Sequence, residues 1–142
     1  MSNNVQVEFE DNSIEIKNAL RDACIAYLNE AGGELEAQVK RNTRVDTGDT
    51  KSKWTYTVDE DNLKAVVGNP LENAIWEEFG TGEYALGGDG RKGGWAYEDV
   101  KNEWHFTRGK RPNRALQSAF TTLKNPLKKR AEQVLKARLK DD

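Results

Sequence analysis

The sequence predicts a single small α+β domain, in which one antiparallel sheet of about four strands is packed by a long N-terminal helix, a short central helix and a C-terminal helix. Three observations lead there. Apolar residues from Ile16 to Val39 recur at three- and four-residue spacing, two aromatic-rich stretches alternate in strand fashion around polar reversals, and the C-terminal segment returns to helical spacing. The order α-β-β-α-β-β-α belongs to helices segregated against a small antiparallel sheet. A chain of 142 residues normally forms one domain. No internal repeat divides it.

The elements follow in order. Residues 1–12 read as a flexible N-terminus. Ile16, Ala19, Leu20, Ala23, Cys24, Tyr27, Leu28, Ala31, Leu35 and Val39 then line one face of a helix from about Ser13 to Arg41. Gly32-Gly33 interrupts this face; each glycine costs about 1 kcal/mol against alanine, so the pair bends the helix or admits a close neighbour. A continuous but weakened helix is expected, with Cys24 as a small core residue. Val45-Asp46-Thr47-Gly48-Asp49-Thr50 reads as a turn. Trp54, Tyr56 and Val58 alternate in one strand, Asp59-Glu60-Asp61-Asn62 reverses the chain, and Leu63, Ala65 and Val67 alternate in the return strand.

The short central helix is fully punctuated. Asn69 can serve as N-cap, Pro70 suits the first helical position, Glu72 falls at the capping-box position, and Gly80 can end the helix. Leu71, Ile75, Trp76 and Phe79 lie close to one apolar face. Glu77 and Glu78 do not fit, because negative charge at a helix C-terminus costs a few tenths of a kcal/mol. From Gly80 to Gly94 seven of fifteen residues are glycine, which predicts a mobile loop over 80–94. Trp95-Ala96-Tyr97 and Trp104-His105-Phe106 follow as short strands. All four tryptophans fall between positions 54 and 104, which places the expected core there. Asn113 can cap a helix carrying Leu116, Ala119, Phe120 and Leu123; Asn125-Pro126 restarts or kinks it, and residues 137–142 are expected to fray.

Charge is uneven although the formal net charge is only −2. Residues 1–36 hold eight acids and two bases, whereas residues 101–142 hold twelve bases and four acids. The two ends can attract each other within or between subunits, or the basic end can face an anion. One cysteine excludes an internal disulfide and an intrachain cysteine metal cluster. No apolar run approaches the ~20 residues of a membrane span, and the N-terminus lacks signal-peptide regions, so folding in the cytoplasm is expected.

Catalytic chemistry finds no signature. His105, the single histidine, alternates with Trp104 and Phe106 and should point to the opposite face, so neither catalysis nor metal ligation is expected of it. No nucleophile elbow is present. Gly88-Asp89-Gly90-Arg91-Lys92-Gly93 matches the glycine spacing of a dinucleotide turn but neither follows a buried strand nor opens a helix, so no cofactor is expected. Arg91 and Lys92 read instead as cations on an adaptable loop that can reach a partner, or as part of a plain disordered loop. Arg108, Lys110, Arg111 and Arg114 put four cations just before a helix and beside aromatics. That cluster suits phosphate, and hence a DNA-binding accessory module using 108–114, or equally a solvated or intersubunit cluster. Glu77 and Glu78 point about 100° apart on a helix, which suits interface acids better than a shared proton.

Val45-Asp46-Thr47-Gly48, then Glu77-Glu78-Phe79-Gly80-Thr81-Gly82, a glycine-rich insertion, His105-Phe106 and Gly109-Lys110-Arg111-Pro112-Asn113-Arg114-Ala115-Leu116 together resemble the HK97 gp10-like family of phage head-tail joining and tail-completion proteins. The resemblance spans roughly residues 14–135. The chain departs from the family pattern at Thr50-Lys51-Ser52-Lys53, where an apolar residue is usual and Trp54 is the candidate replacement anchor. The resemblance implies a non-enzymatic structural protein of the virion neck or tail top, assembled in the host bacterial cytoplasm as a ring through which DNA passes, with a hexamer as the family's stoichiometry. It implies self-association, contacts with neck, head-closure or tail-tube proteins, weak non-specific contact with DNA at most, and no membrane partner. In such a ring Glu77, Glu78, Phe79 and Thr81 of one subunit are expected to meet Arg108, Lys110, Arg111 and Arg114 of the next.

Overall fold

The computed structural model describes residues 7–8, 10–44 and 49–140. Residues 45–48 of the turn expected over 45–50, most of the expected flexible N-terminus and the last two residues lie outside them, while Asp49 and Thr50 of that turn are helical. Among the described residues the order is α1 (Ser13–Asn42), α2 (Asp49–Ser52), β1 (Thr55–Asp59), β2 (Lys64–Gly68), α3 (Glu72–Phe79), a 3-10 turn (Gly82–Tyr84), β3 (Trp95–Glu98), β4 (Trp104–Thr107) and α4 (Ala115–Lys140). The fold is α+β, with the three expected helices, four strands and one short additional helix, α2, where a turn was expected.

The long helix α1 runs unbroken through Gly32-Gly33 because the ring of Tyr56 lies against it. A Cβ on Gly32 would sit 2.5 Å from Tyr56 Cδ2, whereas one on Gly33 would make ordinary contact at 3.9 Å. The close neighbour is thus an aromatic side chain on β1. Tyr56 pairs with Val67 and Val58 with Ala65 in the antiparallel β1–β2 register, so these residues share the sheet face turned to α1. The reversal is held by Asp59 Oδ1, which accepts the N–H groups of Asp61 and Asn62.

Helix α4 returns antiparallel along α1. Arg130 bridges Glu30 and Glu34 at 2.7 and 2.6 Å, and the Tyr27 hydroxyl donates to the Leu127 carbonyl at 2.5 Å, one residue beyond Pro126. The opposite charge of the chain's two ends is therefore matched, in part, within the subunit. Asn125-Pro126 does not break α4 into two helices. The antiparallel packing against α1 holds the segment in helical register across the missing proline N–H.

The core differs from the expected aromatic one. Val39, Trp54, Ala74, Ala115 and Ala119 form it, with Val67 and Leu116 packed alongside. Three alanines let α3 and α4 approach closely, and one large ring fills the space they leave. Of the four tryptophans only Trp54 is buried. Its indole N–H donates to Thr43 Oγ1, which in turn donates to the Val39 carbonyl and closes the end of α1. Trp54 thus anchors the strand entry that lacks the usual apolar residue at 50–53.

The four strands form two separate two-stranded hairpins, β1–β2 and β3–β4, not one continuous sheet. Only the first packs on α1. The second follows the glycine-rich segment, and among the described elements its strands pack substantially only on each other.

Candidate assembly surface

Helix α3 begins at Glu72, two residues after the expected Pro70 start. Asn69 does not cap it: its Oδ1 accepts the Leu71 N–H at 3.0 Å and its Nδ2 donates to the Thr50 carbonyl, which ties the entry of α3 to α2. Gly80, at φ +78, ends the helix by donating its N–H to Trp76, as anticipated.

The polarity of α3 is the reverse of an ordinary amphipathic helix. Its buried residues are Ala74 and Glu78, whereas Ile75, Trp76 and Phe79 are 59%, 51% and 51% exposed. The apolar stripe of Ile75, Trp76 and Phe79 faces outward. Ala74 and Glu78 lie one turn apart on the side where α4 arrives, and its close approach admits only a small side chain and a bonded carboxylate. The outward stripe borders a groove of about 570 Å³ between β2, α3 and α4, whose lining includes Val66, Ile75, Phe79 and Phe120.

The two acids that were misplaced for α3 serve other elements. Glu78 accepts the N–H of Leu116 at Oε2 and of Gln117 at Oε1, both at 2.9 Å, and lies 3.8 Å from Arg114. It caps α4 from a distance, so its charge meets the favourable N-terminal end of that dipole. Asn113, the expected cap, instead donates its side-chain N–H to the Asn42 carbonyl. Glu77 meets Lys110 and, at 3.1 Å, Arg44, whose guanidinium also donates to the Arg111 carbonyl. Arg44 had no sequence signal beyond following the helix. The acid–base contact expected across a subunit boundary is made here inside one chain.

The glycine-threonine-glycine segment has a physical reason. The Thr81 N–H donates to the Lys110 carbonyl, the Lys110 N–H donates to Thr81 Oγ1, and the Glu83 N–H donates to the Arg108 carbonyl, clamping 81–83 against 108–110. A Cβ on Gly82 would strike the Arg108 carbonyl, and one on Gly109, at φ +119, would strike the Thr81 carbonyl. Only glycine allows the two backbones to lie this close. The clamp gives the basic segment further partners: Arg108 pairs with Glu83 at 3.4 Å, Arg111 stacks over Tyr84 and Arg114 over Phe79. Arg91 stacks over Trp95, and Lys92 is exposed.

A family model described as "Bacteriophage HK97-gp10, putative tail-component" matches residues 7–80, more than half of the chain. The chain belongs to the HK97-gp10-like family. The matched region runs from ahead of α1 to Gly80, and so takes in β1, β2 and the whole of α3. The clamp, the β3–β4 hairpin and α4 of this HK97-gp10-like chain lie beyond it. No curated protein and no solved structure matches the chain.

On the β3–β4 hairpin, Tyr97 pairs with His105 and their rings lie 5.4 Å apart, while Ala96 with Phe106 and Glu98 with Trp104 form the opposite face. His105 is thus turned away from Trp104 and Phe106, as alternation requires. Asp99, Glu103 and His105 bring ligand-type atoms within 4.8 Å of one another. Asp99 is already engaged, since Oδ1 accepts the Lys101 and Glu103 N–H groups and Oδ2 meets His105 Nε2 at 2.8 Å. These bonds, led by the one from the Glu103 N–H, hold the Asp99 carboxyl below its ordinary pKa. The group locks a turn. Among the described residues no helix is long and apolar enough to cross a membrane.

Proposed function

We propose that this HK97-gp10-like chain is a non-enzymatic structural protein of the virion that self-associates into a ring, a hexamer by family analogy, at the neck or tail top, with the genome passing through it. The outward apolar stripe of α3 is the observation that carries the reading. Contiguous exposed apolar surface beside a groove marks an interaction site in a soluble chain. Residues whose helical face is inverted in the free subunit acquire a rationale if a neighbour covers them. Neck, head-closure or tail-tube proteins would bind at the ring's two ends, after assembly in the bacterial cytoplasm.

The DNA-binding alternative has less support. Arg108, Lys110, Arg111 and Arg114 each have an acid or an aromatic ring of the same chain beside them. Such a patch offers phosphate little uncompensated charge. Weak non-specific contact fits the exposed lysines of α4 better.

The test is sedimentation velocity of the purified chain across a wide concentration range, with Ile75→Asp alongside, and complementation of a phage lacking the gene. A concentration-dependent oligomer lost in Ile75→Asp, together with tail-less or unjoined particles in the uncomplemented phage, is the expected result. A monomer at every concentration, dispensable for particle assembly, would defeat the proposal.

A further inference from the structure

We infer that the surface covering the α3 stripe is the β3–β4 hairpin of a second copy of this chain, whose Trp104 and Phe106 face packs into the groove bordered by Ile75, Phe79, Phe120 and Val66. This rests on the ring reading and supplies its joint.

Among the described residues, exposed apolar surfaces lie on two different elements. One is the α3 stripe with its groove. The other is the hairpin face bearing Trp104 and Phe106, which are 69% and 65% exposed and sit opposite Glu98 and Ala96 in the strand register. Among the described residues no helix packs substantially against the hairpin. A two-stranded hairpin without packing is marginal in water, so this arm needs a surface to lie on.

The areas match what an interface requires. At ~200 Å² per large aromatic side chain, the exposed parts of Ile75, Trp76, Phe79, Trp104 and Phe106 amount to roughly 600 Å² of apolar surface. That is about half of ~1,200 Å², the lower end of the range for specific stable interfaces, with polar surface around it making up the rest. The charges match as well. Glu98 is the strand partner of Trp104 and Glu103 precedes it, while Lys64 lies two residues from Val66 on β2 and Lys124 one turn beyond Phe120 on α4. The lysines and the acids are exposed.

The topology is also the required one. Two different patches on one molecule make a head-to-tail contact, which generates closed rings or open filaments, whereas a self-complementary patch stops at a dimer. The matched family region ends at Gly80, so α3 lies inside it and the hairpin outside.

The experiment uses the full chain with Cys24→Ser and one new thiol at the edge of each patch. Glu72→Cys lies on the α3 face and Ala96→Cys beside Phe106, leaving the apolar residues intact. A short bismaleimide should join the two variants only when they are mixed, and should give a ladder with the double variant. In parallel, Trp104→Ser with Phe106→Ser should weaken self-association at least about tenfold while leaving the thermal midpoint of the subunit within a few degrees. Cross-linking of Glu72→Cys to itself would establish a two-fold contact and overturn the inference. Failure to cross-link in the mixture, when the unmodified chain is oligomeric by sedimentation, would overturn it and leave the ring reading standing. A chain that stays monomeric throughout would remove both.

Discussion

The carboxylate of Glu78 accepts the backbone N–H of Gln117, 39 residues further along the chain, at 2.9 Å. With the second bond to Leu116 this makes the C-terminal end of α3 the cap of α4. Glu78 is only 6% exposed, so its loss removes a buried, doubly bonded acceptor. Glu78→Ala should destabilise the subunit by about 2 kcal/mol, the upper range for a helix cap, and lower its thermal midpoint by several degrees. Glu77→Ala loses ion pairs to partners that are about 40% exposed and should cost under ~1 kcal/mol. Chemical denaturation of the two variants distinguishes them; equal midpoints would deny Glu78 its capping role.

Glycines 32 and 33 should respond oppositely to the same substitution. Alanine at either gains up to ~1 kcal/mol of helix propensity. At Gly32 the added Cβ meets Tyr56 Cδ2 at 2.5 Å, and displacing a packed ring costs ~1–3 kcal/mol. Gly32→Ala should therefore lower stability and Gly33→Ala should raise it, measured by urea midpoint. Tyr56→Leu should relieve the Gly32→Ala penalty, because the clash is with the ring.

Why part of this was legible and part was not follows from sequence distance. Helix α1, the β1–β2 hairpin, its Asp59 reversal and the Gly80 terminus rest on periodicity and turn chemistry within a few residues, and all are readable. The fate of Glu77 and Glu78 depends on Lys110, Arg44 and the N–H groups of Leu116 and Gln117, which no local pattern announces. Their poor fit to the α3 dipole and basic partners such as Lys110 and Arg114 were visible, but not that the contacts close within one chain, nor that Arg44 joins them or that Glu78 caps α4. The direction of the α3 stripe was hidden for a related reason. Periodicity shows that Ile75, Trp76 and Phe79 share a face, not whether that face meets the core or a neighbour. Strand alternation likewise showed β3 and β4 but not that they would leave the first sheet.

Acid should loosen the β3–β4 turn selectively. The Asp99 carboxyl has its pKa lowered from 3.8, first by the Glu103 N–H and then by His105. A depressed folded pKa stabilises the turn fully above 3.8, and the contribution is lost as pH falls through the lower folded value. NMR signals of Ala96, on the strand face opposite the His105 ring, should hold constant from pH 7 to about 5 and shift toward random-coil positions below 3.8, while those of the α1–α4 pair persist longer. In Asp99→Ala the hairpin signals should already be shifted at pH 7. An unchanged hairpin in that variant would show that strand pairing alone holds the arm.

The Gly109–Thr81 contact ties the hairpin's return to the end of α3, and its loss should be local. Gly109 has φ +119, and a side chain there would strike the Thr81 carbonyl. Gly109→Ala combines backbone strain with this clash, for which about 2 kcal/mol is a fair magnitude. The amides of Thr81, Glu83 and Lys110, bonded across the clamp, should then exchange with solvent roughly 30-fold faster, while α1 and α4 amides keep their protection. The clamp sets where the hairpin stands relative to α3, so a ring built by laying one subunit's hairpin on the next subunit's α3 should assemble poorly from Gly109→Ala. Faster exchange spread evenly over α1 and α4 would instead show that the clamp belongs to the global folding unit, and any assembly defect would then follow from lost stability.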